Sequence, residues 1–288
     1  MSFEELRTWI GRTQRQVETL DLSRLRGLAA ALGDDLAVER GTPVPPGWHW
    51  LFFNPMVPRQ EVGPDGHPAR GGFLPPIDLP RRMWAGGELV FEDHLLAGEE
   101  ATRDSEIVSI EPKTGKQGAL VFVTVRHRVS AGSRMAIDEI QNLVYRNPVT
   151  APGPRATVPV PSDRPASQWS GPFRADEVLL FRYSALTFNG HRIHYDKEYA
   201  TREEGYPALV VHGPLTATVL MRVAERHSGS PDVRKPLLKR FTYRGVAPLF
   251  VHEQASLEGA LEPDGALSLW ARKADGTEVM SARAELRS

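Results

Sequence analysis

One segment decides what this chain can fold into. From Pro214 onward, Leu215, Val219, Leu220 and Val223 recur at helical spacing in a stretch that is almost wholly nonpolar. Such a helix belongs inside a core, because its first two turns offer almost only apolar side chains. Past residue 34, nearly everything around it reads as strand, turn or proline-rich loop. The runs 88–97, 105–130 and 137–146 are strand-like, the middle one folded into a hairpin at Lys113-Thr114-Gly115-Lys116. Later come Val178–Tyr183, Lys239–Tyr243 with Phe250–Leu257, Ala266–Ala271 and Glu278–Glu285, with turn signals at Asp264-Gly265 and Asp275-Gly276. Strands wrapped on one buried helix make an α+β fold.

The N-terminal residues 3–32 read as two helices, the first through Leu6, Ile10, Val17 and Leu20. Asp21 and Ser23 cap the second, which runs through Leu25, Leu28 and Leu32 to Gly33. Between Gly41 and Pro80 prolines and glycines exclude a regular helix, so a long ordered loop is expected, with one strand at Trp48–Phe53. A second Pro-rich stretch, Pro148–Ala166, reads as a linker. The expected division is an N-terminal helical segment (1–34), a first half (35–150), a linker (151–164) and a second half (165–288).

The halves resemble each other. Pro80-Arg81-Arg82-Met83-Trp84 with a following Phe91 has its counterpart in Leu238-Lys239-Arg240-Phe241-Thr242 with Phe250, each followed by a hairpin. Internal duplication is the expected origin, with the loop of the first half standing where the second has its helix.

Composition narrows the chemistry. The 288 residues are 41% hydrophobic and 25% charged, as in an ordinary soluble globular protein. A formal net charge of −1 gives no global field for nucleic acid or an anionic membrane. There is no cysteine, hence no disulfide, thiolate metal site or cysteine nucleophile. No apolar run is long enough to span a bilayer and the N-terminus lacks the pattern of a signal peptide, so a cytoplasmic location is expected.

Just ahead of the buried helix lies a loop crowded with Thr187, Asn189, His191, His194 and Asp196. Histidines in that setting suit a metal, with His212 and His227 as further ligands, or a general base near neutral pH. With neither cysteine nor a His-Glu-x-x-His pattern, no metal is expected. A histidine hydrogen-bonded only to loop backbone fits the same pattern. Val210-Val211-His212-Gly213-Pro214 opens the helix: Pro214 needs no amide partner, Gly213 admits close approach, and the first-turn amides could face a developing oxyanion.

The stretches YSALTFNGHRIHYD and EEGYPALVVHGPL resemble the MaoC-like enoyl-CoA hydratase motif of the hot-dog fold. The Thr-Phe-Asn-Gly-His-Arg-Ile-His-Tyr-Asp form, together with Asn54-Pro55 and Arg81-Arg82-Met83-Trp84-Ala85-Gly86, is similar to the branch of type 2 hydroxyacyl-thioester dehydratases and 3-methylfumaryl-CoA (mesaconyl-C4-CoA) hydratases. The resemblance implies a double hot-dog, degenerate in its first half, and hydration or dehydration of a short enoyl-CoA thioester without a cofactor. It puts His194 on the catalytic histidine, Asn189 on the catalytic aspartate, His191 on an asparagine and Gly213 by the oxyanion amide. Asn189 departs from the motif, since an amide cannot act as a base. Asp196 is a candidate to orient His194. His191, Arg192, Asp196, His212 and Arg82 are the expected substrate contacts, with Arg192 or Arg82 for a free carboxylate. Phosphates of CoA call for cations, with Arg82, Lys239 and Arg240 the candidates beside Arg81, Arg234, Lys235 and Arg244. A hot-dog thioesterase using Glu203 or Glu204, a dehydratase of fatty acid synthesis, and an inert acyl-CoA-binding module are the alternatives. Assembly into a homodimer is left open.

Overall fold

The computed structural model describes residues 3–115, 118–147, 164–227 and 236–287. Ten strands form one antiparallel sheet in the order β1-β3-β4-β5-β2-β7-β10-β9-β8-β6. In the first half these are β1 (Thr13–Thr19), β2 (Arg81–Phe91), β3 (Glu100–Gly115), β4 (Gly118–Ala131) and β5 (Arg134–Arg146). In the second they are β6 (Trp169–Arg174), β7 (Leu238–Gly245), β8 (Gln254–Leu261), β9 (Leu267–Lys273) and β10 (Glu278–Leu286). The halves meet where β2 pairs with β7, Leu89 opposite Phe241. Helices α1 (Phe3–Arg7) and α2 (Leu22–Leu32) belong to the first half, α3 (Glu177–Leu186) and α4 (Gly213–His227) to the second. No helix among the described residues is long and apolar enough to cross a membrane.

The buried helix is α4. Leu215, Leu220, Met221 and Ala224 are fully enclosed, in one core with Phe241, Leu269, Ala271 and Ala284 of the sheet. Read outward from the β2–β7 junction, the strand order is the same in both directions, as a duplicated unit requires.

Backbone hydrogen bonds fix the register of the duplication. The Val44 amide donates to the Leu95 carbonyl and the Val211 amide to Leu249, both at 2.8 Å. Isolated bridges join Pro43 to Leu96 and Val210 to Phe250. Gly98 donates to Leu20 and His252 to Ala175, and the residues after these acceptors, Asp21 and Asp176, cap α2 and α3. Phe250 therefore corresponds to Leu96, not to Phe91. The motif match had slipped by about five residues, since basic pairs ahead of strands carry no register of their own. Both caps accept from first-turn amides, so Asp176→Ala should cost about 1 kcal/mol, read as a lowered denaturant midpoint.

Three local expectations are corrected. Thr13–Thr19 is an edge strand paired with β3, not helix, because Gly11 turns the chain in a left-handed conformation before it. Val178–Tyr183 lies in α3: Asp176 accepts from the Leu179 amide, and Leu180, Tyr183 and Ser184 form its buried face at helical spacing. Trp48–Leu51 is a buried 3-10 turn rather than a strand. By the register above, it stands where α4 begins in the second half. The first half starts its central helix for one turn and then becomes loop at Asn54-Pro55. Strand β6 and the start of β2 at Arg81 went unread. The hairpin at 113–116 pairs Gly115 with Gly118, while Lys116 lies outside the described residues. So do 148–163, which hold nearly all of the expected linker.

Candidate active site

The polar loop is built by its own backbone. Thr187 ends α3 with its hydroxyl donating to the Tyr183 carbonyl at 2.7 Å. The Asn189 amide donates to the Ser184 carbonyl, and Asn189 Oδ1 accepts from the His191 amide at 3.0 Å. This turn leads into the short 3-10 helix Arg192–His194. There His194 Nδ1 donates to the Val210 carbonyl at 2.7 Å, and the Val210 amide donates to the Ile193 carbonyl. That contact fixes the tautomer and leaves Nε2 of His194 with its lone pair.

The histidines adjoin in series. His212 stacks on His194 with ring centroids 3.7 Å apart, His191 meets His194 edge-on at 5.4 Å, and His67 lies 4.1 Å from His191. Burial pushes His194 down to about 4 and His191 to about 2, with the neighbouring rings adding to the effect. Both are neutral at neutral pH, the form a base requires. His212 is fully buried behind His194, its Nε2 2.9 Å from Ser184 Oγ and its pKa driven down by the same burial. It backs the His194 ring from inside the core.

Gly213 opens α4 beside these rings, and a Cβ there would lie 2.8 Å from the Trp84 ring. Trp84 stacks on Tyr243 and meets Trp50 edge-on. Of the first-turn positions of α4, Pro214 has no amide and the Thr216 amide donates to the His212 carbonyl at 3.1 Å, so the amides of Gly213 and Leu215 are the ones without a carbonyl four residues back in the helix.

Two expected residues have other partners. Asp196 binds Arg192 Nη2 at 2.7 Å and accepts from the Tyr199 amide, so it does not orient His194. Arg192 is held by Asp196, donates to the Pro64 carbonyl and lies 4.1 Å over the Tyr199 ring. Arg82 behaves differently: its guanidinium is close enough to lower His67 and to hydrogen-bond Tyr145. Among the described residues no carboxylate pairs with it. Lys239 is exposed, and Arg240 pairs with Glu88 across β2. Arg240 lies opposite Val90, eight residues along β2 from Arg82, or roughly 27 Å at strand spacing. Both therefore stand away from the histidines. Arg234 and Lys235 lie outside the described residues.

Sequence reasoning missed the contribution of the first half. Asp65 and His67, at the tip of a tight turn in the Pro/Gly loop, reach His191 across the halves. His67 Nδ1 donates to Asp65 Oδ2 at 3.0 Å. The Arg192 amide donates to the Asp65 carbonyl at 2.9 Å. Donor atoms of Asp65, His67 and His191 lie within 4.8 Å of one another. The available signal was a loop too long to be idle, carrying Asp-Gly-His at its centre.

The architecture is that of a double hot-dog, and the comparisons agree. The chain resembles a MaoC-like dehydratase from Phytophthora capsici (TM-score 0.70, 15% identity, 100% of this chain and 98% of that one). It also resembles a Mycobacterium tuberculosis protein described as having a double hotdog fold (TM-score 0.61, 14% identity, 96% and 95%). In sequence it is 42% identical to the mesaconyl-C(4)-CoA hydratase of Chloroflexus aurantiacus, over 99% of each chain. The pattern of hydroxyacyl-thioester dehydratase type 2 matches residues 47–251. The chain belongs to that family of hydro-lyases.

Proposed function

We propose that this protein catalyses reversible hydration of a short-chain enoyl-CoA, with 3-methylfumaryl-CoA (mesaconyl-C4-CoA) the favoured substrate and citramalyl-CoA its product. The full-length likeness to the Chloroflexus hydratase carries the reading. In hydration, Nε2 of His194 takes a proton from water as the oxygen bonds to Cβ. The π pair moves onto the thioester as an enolate, held by the amides at Gly213, and the proton is then delivered to Cα. Asn189, with Oδ1 engaged by the His191 amide, keeps its NH₂ group to orient water or substrate.

A substrate with a free carboxylate needs a cation in the site, and Arg82, which has no carboxylate partner among the described residues, suits it better than the occupied Arg192. Arg82→Leu should raise KM for 3-methylfumaryl-CoA by about tenfold or more, as loss of a charged hydrogen bond does. KM for crotonyl-CoA should hardly change. An equal rise for both would remove Arg82 from acyl recognition. A panel of enoyl-CoAs scored for water addition and for free thiol separates hydratase from thioesterase. For the latter, Glu204 is already paired with Arg81 at 2.9 Å and Glu203 is exposed.

A further inference from the structure

A water that must attack in one direction is best held through both of its hydrogens, and that takes two acceptors. His194 Nε2 is one. Asn189 is the poorer choice for the other, because its Oδ1 is already tied into the turn by the His191 amide at 3.0 Å and its outward-facing capacity is mainly the NH₂ donor. No carboxylate of the loop is at hand either, since Asp196 is bound to Arg192.

The first half brings one in. Residues 61–69 form a tight hairpin, with Gly63 N bonded to His67 O, Ala69 N to Glu61 O, and a bridge between Val62 and Pro68. Its tip is pressed onto the site loop. Gly66 has φ +88°, and a Cβ there would fall 1.8 Å from the Gly190 carbonyl; a Cβ on Gly190 would fall 2.6 Å from the Gly66 carbonyl. Two glycines thus face each other where only glycines fit, so the contact is built for close approach. It sets His67 against His191, with Arg82 and Arg70 as the other charged groups near the ring. Asp65 accepts from His67 Nδ1, so the remaining nitrogen, Nε2, is an acceptor.

We propose that His67, oriented by Asp65, is a second catalytic residue that holds the attacking water together with His194. This rests on the hydratase reading given above. The proton still leaves water for His194 and ends on Cα; His67 accepts the other O–H and aims the oxygen lone pair at Cβ. Asp65 is a positioning residue. Its carboxylate keeps the proton on Nδ1, and an amide in its place would favour the wrong tautomer.

The test uses the full chain and the enoyl-CoA it hydrates fastest. His67→Phe keeps a ring but no acceptor, and kcat should fall about 10²-fold or more with KM within about threefold. His67→Gln, which retains an acceptor oxygen, should recover part of that loss. Asp65→Asn should lower kcat by about tenfold or more, and the acid limb of kcat/KM should move to lower pH, since His67 loses the charge that favours its protonation. A merely structural role would lower the melting temperature and leave that limb in place, and this result would overturn the proposal. So would unchanged kcat in His67→Phe and Asp65→Asn. Activity removed by a chelator and restored by zinc would also overturn it, making Asp65, His67 and His191 metal ligands instead. Failure of the unmodified chain to hydrate any enoyl thioester would bring down the hydratase reading as well.

Discussion

Replacing His194 with alanine is expected to lower kcat by about 10²–10⁴-fold, the range of a positioned general base. KM should change little, because the proton transfer belongs to the transition state. The ring is buried, stacked on His212 and bonded to Val210, so the substitution also leaves a small cavity and an unpaired carbonyl. That should cost about 1–3 kcal/mol at pH 7, too little to unfold the protein at 25 °C. Melting curves run beside the kinetics separate the two effects. The pH dependence gives a second check. His194 titrates at about 4 in the folded chain, against about 6.5 when unfolded. A depressed folded value means that the unfolded state binds the proton first. The wild type therefore loses stability as pH falls from about 6.5 toward 4, and the alanine variant escapes this share of the loss. The stability gap between them should be narrower at pH 5 than at pH 7. A gap that widens on acidification, or a variant with near-normal kcat, would remove His194 from its role.

What the sequence disclosed depended on whether the signal was local. The α4 periodicity, the Asp21 cap, the Asp-Gly turns and the loop 187–196 are short-range patterns, and each is where its residues said it would be. The site loop was legible because its parts are close in sequence and then stitched to Val210. Strand and helix were confused at 13–19 and 178–183, where short apolar spacings serve either element and a cap or a preceding turn decides. What could not be read was pairing across the halves. Asp65 meets His191 across a separation of 126 positions, and Arg240 and Arg82 look alike until strand register sends them to distant places. Charge in a sequence says nothing about partners, so Arg192 and Asp196 looked available although they bind each other.

The first half holds the largest expected effect on stability. Where it lacks a central helix, the buried carboxylate of Glu139 accepts from His49 Nε2 at 3.2 Å, Trp50 Nε1 at 3.0 Å and Gln141 Nε2 at 3.1 Å. Its residue is 1% exposed, so water cannot replace a lost partner. Glu139→Ala strands those donors inside the core and should destabilise by about 3–5 kcal/mol, the range for breaking a buried charged network. For a chain of this size that is a fall in Tm of roughly 10 °C. Glu139→Gln keeps the shape and one acceptor and should lose less. Burial works to raise the Glu139 carboxyl, but hydrogen bonds, from His49 first and Trp50 among them, outweigh it and hold the group down to about 2, from 4.5. Its contribution is therefore complete above about 4.5 and disappears as pH falls toward 2. The difference between wild type and Glu139→Gln should shrink across that window in urea titrations. The effect should also reach the site, because Trp50 meets Trp84 edge-on at 5.5 Å and Trp84 lies against Gly213. In Glu139→Gln, a modest fall in kcat at 25 °C is expected alongside the lowered midpoint. An unchanged midpoint at pH 7 would show that the network adds nothing to folding, and an unchanged kcat with a lowered midpoint would confine its role to the first half.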